Sequence, residues 1–121
     1  KDVKSGAVRM AASTGVPLLP TVIWGSQRVW TKGRKPRWVG WQLPIHVSVG
    51  EPMQVGRRDD HEAAAAELRR RMQAMLEEIQ GVYPRAGHDG AWWLPARLGG
   101  SAPTLEEADA LDAAAGTTDA D

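Results

Sequence analysis

The sequence predicts an α/β fold with a long helix and a disordered acidic tail, and three observations carry that reading. The first is Gly15-Val16-Pro17-Leu18-Leu19-Pro20-Thr21-Val22-Ile23-Trp24-Gly25, the longest apolar run in the chain, with β-branched residues at Thr21, Val22 and Ile23. Apolar side chains on both faces read as a short, fully buried strand. The second is the stretch before it, Lys4 to Ala12, which reads as a helix with Val8, Ala11 and Ala12 on one face at i, i+3 and i+4. A helix that ends at Gly15 and turns straight into a buried strand is half of a parallel α/β unit. The third is Leu68, Met72, Met75, Leu76, Ile79 and Val82, which form one apolar stripe at helical spacing. A buried strand needs neighbours on its edges, and the 14 residues before Gly15 cannot supply them. The expectation is therefore the carboxy-terminal part of a larger fold.

The remaining elements follow in order. Gly25 to Trp41 carries glycine, proline and a Lys32–Arg37 charge run, which marks a loop with a short turn of helix near Val29. Ile45-His46-Val47-Ser48-Val49-Gly50 alternates, predicting a half-buried strand with Ile45, Val47 and Val49 facing the core. Asp59 is the expected N-cap of the long helix, with Glu62 completing a capping-box pattern and Gly81 and Pro84 stopping it. Met72 and Met75 belong to its apolar stripe and read as core. Glycine, proline and three aromatics dominate Tyr83 to Gly100. Ser101 to Asp121 holds six acids and no base; Thr104-Leu105-Glu106-Glu107 is a possible helix start, and the end is expected to be disordered. The boundaries are thus 1–84 for the α/β part, 85–100 for a Trp/Gly/Pro-rich extension and 101–121 for the tail. No internal repeat is present.

Composition bounds the chemistry. The 121 residues suffice for one small domain. With no cysteine, disulfides and thiolate chemistry are excluded. No run approaches the ~18 apolar residues of a membrane span, and no signal peptide is visible. Net charge is zero but lopsided: residues 1–50 hold eight basic residues and one acid, residues 51–121 seven arginines and fourteen acids. A basic front half points to an anionic partner such as phosphate, nucleic acid or a lipid surface.

Trp24, Trp30, Trp38 and Trp41 lie within or beside the basic loop. Indoles with cations suit a membrane–water interface. They also suit stacking on single-stranded nucleic acid. A third reading is indoles packed on the domain with solvated charges. Lys4 stands at a helix start, where free N–H groups favour an anion, although no P-loop or Gly-x-Gly-x-x-Gly occurs. His46 reads as a surface or hydrogen-bonded residue on a polar strand face, and His61 as an ordinary surface residue. His88-Asp89 is adjacent in sequence, which does not make a base and its orienting carboxylate. There is no nucleophile elbow and no metal-ligand histidine pair. These residues alone provide no catalytic set.

Lys4-Ser5-Gly6-Ala7-Val8-Arg9-Met10-Ala11, then Gly15 to Gly25, then Val47-Ser48-Val49-Gly50-Glu51-Pro52 resemble the carboxy-terminal half of the phospholipid/glycerol acyltransferase family, nearest its bacterial 1-acylglycerol-3-phosphate O-acyltransferases. Gly90 to Gly100 resembles actinobacterial members. The likeness spans roughly residues 3–100. It implies a glycerolipid acyltransferase-like α/β fold at the cytoplasmic face of the cell membrane, acting in phospholipid biosynthesis. The implied reaction moves a fatty acyl group from acyl-CoA or acyl-carrier protein to lysophosphatidic acid, with no cofactor or metal. Lys4 would border the pocket for the acceptor's phosphate. Val16, Pro17, Leu18, Leu19 and Pro20 would shape the donor and acceptor cleft. Trp24, Trp30 and Trp38 with neighbouring Arg/Lys would face the membrane, with no role for nucleic acid. The family's His-x-x-x-x-Asp has no copy here, since His46, His61 and His88 are followed five residues on by Glu51, Ala66 and Trp93. By resemblance it would lie upstream of Lys1, and average domain size puts that roughly 60–100 residues earlier, so the 121 residues are expected to be inactive alone. The alternative is a non-enzymatic module that grips lipid or nucleic acid through the basic tryptophan loop.

Overall fold

The computed structural model describes residues 5–31, 34–35, 43–84 and 88–118, without the side chains of 115–118. In order these form helix α1 (Gly6–Thr14), strand β1 (Thr21–Trp24), a 3-10 turn at Ser26–Arg28, strand β2 (His46–Val49), helix α2 (His61–Val82), a 3-10 turn at Ala96–Leu98 and helix α3 (Leu105–Thr118). The chain divides into two compact units, residues 2–83 and residues 84–121.

In the first unit, α1 buries Val8, Ala11 and Ala12, three small side chains on one face. It ends where Gly15 takes φ +75 and donates its N–H to the Ala11 carbonyl at 2.8 Å, a left-handed cap that glycine adopts without a Cβ penalty. Val8 and Ala12 meet Met53, Val55 and Leu68 in the core, with Leu18, Ala64, Ala65 and Met72 packed around them. Leu18 and Met53 exchange N–H···O bonds of 2.9 and 2.8 Å, carrying the pairing of the two strands back towards α1. Between that bridge and the Thr21–Val49 pair, the second strand carries one more residue than the first, a bulge over Gly50-Glu51-Pro52.

The sheet corrects three expectations. β1 pairs β2 antiparallel, so among the described residues there is no parallel unit. β1 is not buried on both faces: Val22 is 8% exposed but Ile23 is 54%. The third correction concerns β2. Ile45, Val47 and Val49 are 48, 60 and 58% exposed, whereas His46 and Ser48 turn inward towards α2. The reason is the register. Val22 lies opposite Ser48 and Trp24 opposite His46, and opposite residues share a face. The row with Val22 and Trp24 packs on α2, so His46 and Ser48 go with it.

Backbone polarity follows from the same register. Gly50 donates its N–H to the Pro20 carbonyl at 2.8 Å. Bonded and non-bonded pairs alternate from there, so Val22–Ser48 and Trp24–His46 are the bonded pairs. The N–H and C=O groups of Thr21, Ile23, Val47 and Val49 point to the sheet's two edges, where no described strand receives them.

α2 starts one residue later than its sequence pattern implies. Asp60 caps it, accepting from the N–H groups of Glu62 and Ala63 at 2.9 and 3.1 Å. Asp59 instead closes the preceding turn by accepting from Gly56 N–H at 2.7 Å. Leu68 and Ile79 are buried and Met72, Met75 and Leu76 half-buried, but Val82 is 69% exposed and leaves the stripe. On the outer face, Arg70 and Arg71 both bond Glu67, at 2.8 and 2.7 Å. These bonds, Arg70's first, hold the Glu67 carboxyl down from 4.5 to about 2.

In the second unit, Leu94 and Trp93 are buried beneath a closed loop. Gly90 N–H donates to Gly99 O (2.7 Å), Ser101 N–H to Ala91 O (2.9 Å) and Ala102 N–H to Leu94 O (3.0 Å). The acidic tail, expected to be disordered, is helical over Leu105–Thr118. Its start is a reciprocal capping box: Thr104 N–H donates to Glu107 Oε2 at 2.8 Å and Glu107 N–H to Thr104 Oγ1 at 3.2 Å. Residues 119–121 lie outside the described residues.

Two outcomes check this account of α2. Asp60→Ala should lower stability by about 1 kcal/mol, the usual cost of a lost N-cap, measured by urea unfolding. A carboxylate with a depressed folded pKa contributes stability above its unfolded pKa and loses it on acidification. Wild type and Glu67→Gln should therefore differ slightly in melting temperature near neutrality, because the pair is exposed. The gap should close as pH falls from 4.5 to about 2. An offset constant across that range would contradict the pairing.

Candidate functional site

The first unit's conspicuous polar construction is centred on Tyr83, the chain's single tyrosine. It follows α2 directly and is 2% exposed. Its hydroxyl donates to the Pro44 carbonyl at 2.7 Å and accepts from Arg28 Nη1 at 3.1 Å. Its ring meets Trp24 edge-on at 6.5 Å and His46 at 5.2 Å. Gly25, with φ +102, passes beside it, and a Cβ there would run into the Pro44 carbonyl and the Tyr83 ring. Tyr83 therefore holds both ends of the connection between β1 and β2 at one point.

That connection is the basic tryptophan loop. At its base Gln27 folds back to accept from Gly25 N–H at 2.9 Å, and Thr31 Oγ1 donates to the Gln27 carbonyl at 3.2 Å. The expected helical turn near Val29 is the 3-10 turn Ser26–Arg28. Trp30 stands 69% exposed, and Arg34 and Lys35 are exposed beyond it. Among the described residues between 5 and 50 there are four cations (Arg9, Arg28, Arg34, Lys35) and no carboxylate.

The residues singled out in the sequence separate into several environments. Lys4, Trp38 and Trp41 lie outside the described residues. Val16 and Leu19 are each 53% exposed, Pro17 is exposed, Leu18 is half-buried at the Met53 bridge and Pro20 is buried. Trp24 belongs to the inward row, half-buried against Tyr83. It is thus removed from the set of indoles available to a surface partner. His46 is half-buried against the same ring. His61 is half-buried with its Nε2 enclosed and unpartnered among the described residues, not an ordinary surface side chain. In the second unit His88 lies edge-on to Trp93 at 5.2 Å.

Sequence reasoning missed an open groove of about 320 Å³ between β2 and α2, lined by His46, Val47, Ser48, Glu78, Ile79 and Val82. It exists because the polar row of β2 faces the helix, which the alternation pattern argued against. Imidazole, hydroxyl and carboxylate share the groove, but among the described residues no hydrogen bond links them, so they form no proton relay. Nor do the described residues place three His, Cys, Asp or Glu side chains to hold a metal. No described helix is long and apolar enough to cross a membrane. No family model, curated protein or solved structure matches the chain.

Tyr83→Phe keeps the ring contacts and deletes both hydroxyl bonds. It should cost about 1–2 kcal/mol and speed amide exchange across residues 25–31 more than across α1. Uniform acceleration would mean that the hydroxyl does not fasten the loop.

Proposed function

We propose that this chain is the carboxy-terminal part of a membrane-associated acyltransferase. The complete enzyme transfers a fatty acyl group from acyl-CoA or acyl-carrier protein to the free hydroxyl of lysophosphatidic acid or a similar lysophospholipid. The observation that carries the reading is Trp30, 69% exposed in a carboxylate-free basic loop whose ends are fastened at Tyr83. An exposed indole among cations is suited to the headgroup region of an anionic bilayer, where the lysophospholipid acceptor resides. The three ordered segments that resemble the acyltransferases add support from sequence.

In this reading the 121 residues bind and position, and the His-x-x-x-x-Asp that activates the acceptor hydroxyl comes from outside them. Lys4 attracts the acceptor's phosphate. Val16 to Pro20 shape the cleft, with Pro20 anchored in the core and Val16, Pro17 and Leu19 open to contact. Trp30, with Trp38, seats the loop in the headgroup layer. Trp24 is reassigned to packing.

The complete natural protein containing these residues should acylate lysophosphatidate from acyl-CoA or acyl-carrier protein, and Lys4→Ala should raise the KM for the acceptor about tenfold, the value of one charge-assisted contact. Trp30→Ser should weaken sedimentation with anionic vesicles. Absence of acyl transfer would remove the enzyme reading. Tight, salt-sensitive oligonucleotide binding without vesicle binding would put a nucleic-acid module in its place.

A further inference from the structure

The groove between β2 and α2 opens in a definite direction. His46, Val47 and Ser48 line one wall, Glu78, Ile79 and Val82 line the other, and no residue of β1 contributes. It therefore lies on the side of β2 that faces away from β1. That side is the strand edge to which Val47 and Val49 turn their N–H and C=O groups, and no described strand receives them. Alternating backbone donors and acceptors along an edge are matched by another strand, which fixes the kind of neighbour. A strand added there lays every second side chain over the groove, in line with His46 and Ser48.

The walls select the side chain. The imidazole of His46, the hydroxyl of Ser48 and the carboxylate of Glu78 can each accept a hydrogen bond. Among the described residues none of the three has a hydrogen bond or ion pair, and no cation lines the groove. Ile79 and Val82 add aliphatic surface between them, and Val82 stands 69% exposed there. An ammonium brings three donors to three separate acceptors, on a four-carbon stem that lies along aliphatic surface. A guanidinium's planar fork suits the two oxygens of a single carboxylate instead. We infer that the groove seats a lysine side chain carried on a further strand, which pairs with the outer edge of β2. The described residues supply two strands, whereas sheets usually have about 4–6, so the added strand is one of the same domain, from polypeptide outside these 121 residues. The inference rests on the acyltransferase reading only in that placement.

A water-soluble carbodiimide joins a carboxylate to a lysine amine in direct contact, forming an amide with no spacer, and so reads this pairing. The complete natural protein in detergent is treated with the reagent, digested and mapped by mass spectrometry. The 121 residues contain four lysines, Lys1, Lys4, Lys32 and Lys35, so a lysine from elsewhere is recognised by its peptide. The expected product joins Glu78 to one lysine outside these residues, within a single chain. Glu78→Gln should abolish that product, and it should speed amide exchange at Val47 about threefold, the scale of one part-exposed ion pair. Absence of a Glu78 product would overturn the inference. A product with Lys1, Lys4, Lys32 or Lys35 would give the groove to this chain's own basic half or to a second copy, and a product with another protein would give it to a separate partner. Either result also overturns the inference. Acyl transfer measured on the same samples keeps the two readings apart. The expected product without transfer leaves the lysine seat and removes the enzyme; transfer without the product does the reverse.

Discussion

The Tyr83 hydroxyl, bonded at once to the Pro44 carbonyl and to Arg28, is the constraint on which the rest of the first unit depends. It joins the end of α2 to residues 39 and 55 positions earlier in the chain. Because the same ring touches Trp24 and His46, the clasp decides which row of each strand faces the helix. Trp24 and His46 are opposite one another in the ladder, so turning one inward turns both. Ser48 and Val22, two residues along, follow by the period of the pleat. The polar groove, the outward apolar row and the fastened ends of the basic loop are three consequences of one anchoring point.

The outcome is a ribbon with its polarity reversed. A two-stranded sheet is marginal in water without a packed face. This one gains its packed face from α2 while presenting valine and isoleucine on the other side and, along both edges, backbone groups that no described strand receives. Open edges beside an apolar face invite association or aggregation in a free-standing protein. In the interior of a larger α/β domain the same features are ordinary, because further strands take the edges and a second helix layer takes the face.

Much of the helical structure was legible in the sequence, because its determinants are local. Val8, Ala11 and Ala12 mark the buried face of α1, Gly15 its end, and Leu68 to Ile79 the stripe of α2. The α2 cap was misplaced by one residue because Asp59 and Asp60 are both competent acceptors, and only the turn closed on Gly56 decides between them. The tail helix had a visible signal in Thr104 and Glu107, but alanine and acid content argued for disorder. The sheet was the part least legible. Apolar alternation in Ile45, Val47 and Val49 was read as the core side, yet the facing depends on long-range contacts to Tyr83 that spacing along the chain cannot encode. The same holds for the groove, and for Trp24, whose indole belongs to the packing and not to the loop. A lone tyrosine between a helix end and Pro84 was the available hint.

Amide exchange at Ile23 and Val47 tests the central claim, that this ribbon is an interior piece of a larger sheet, most directly. Their N–H groups point to the sheet's two edges, where no described strand receives them, away from each other. The account predicts exchange close to that of open backbone in the 121-residue chain and strong retardation at both residues in the complete natural protein. Fast exchange at both in the complete protein would contradict it, because the sheet would then end where these two strands end.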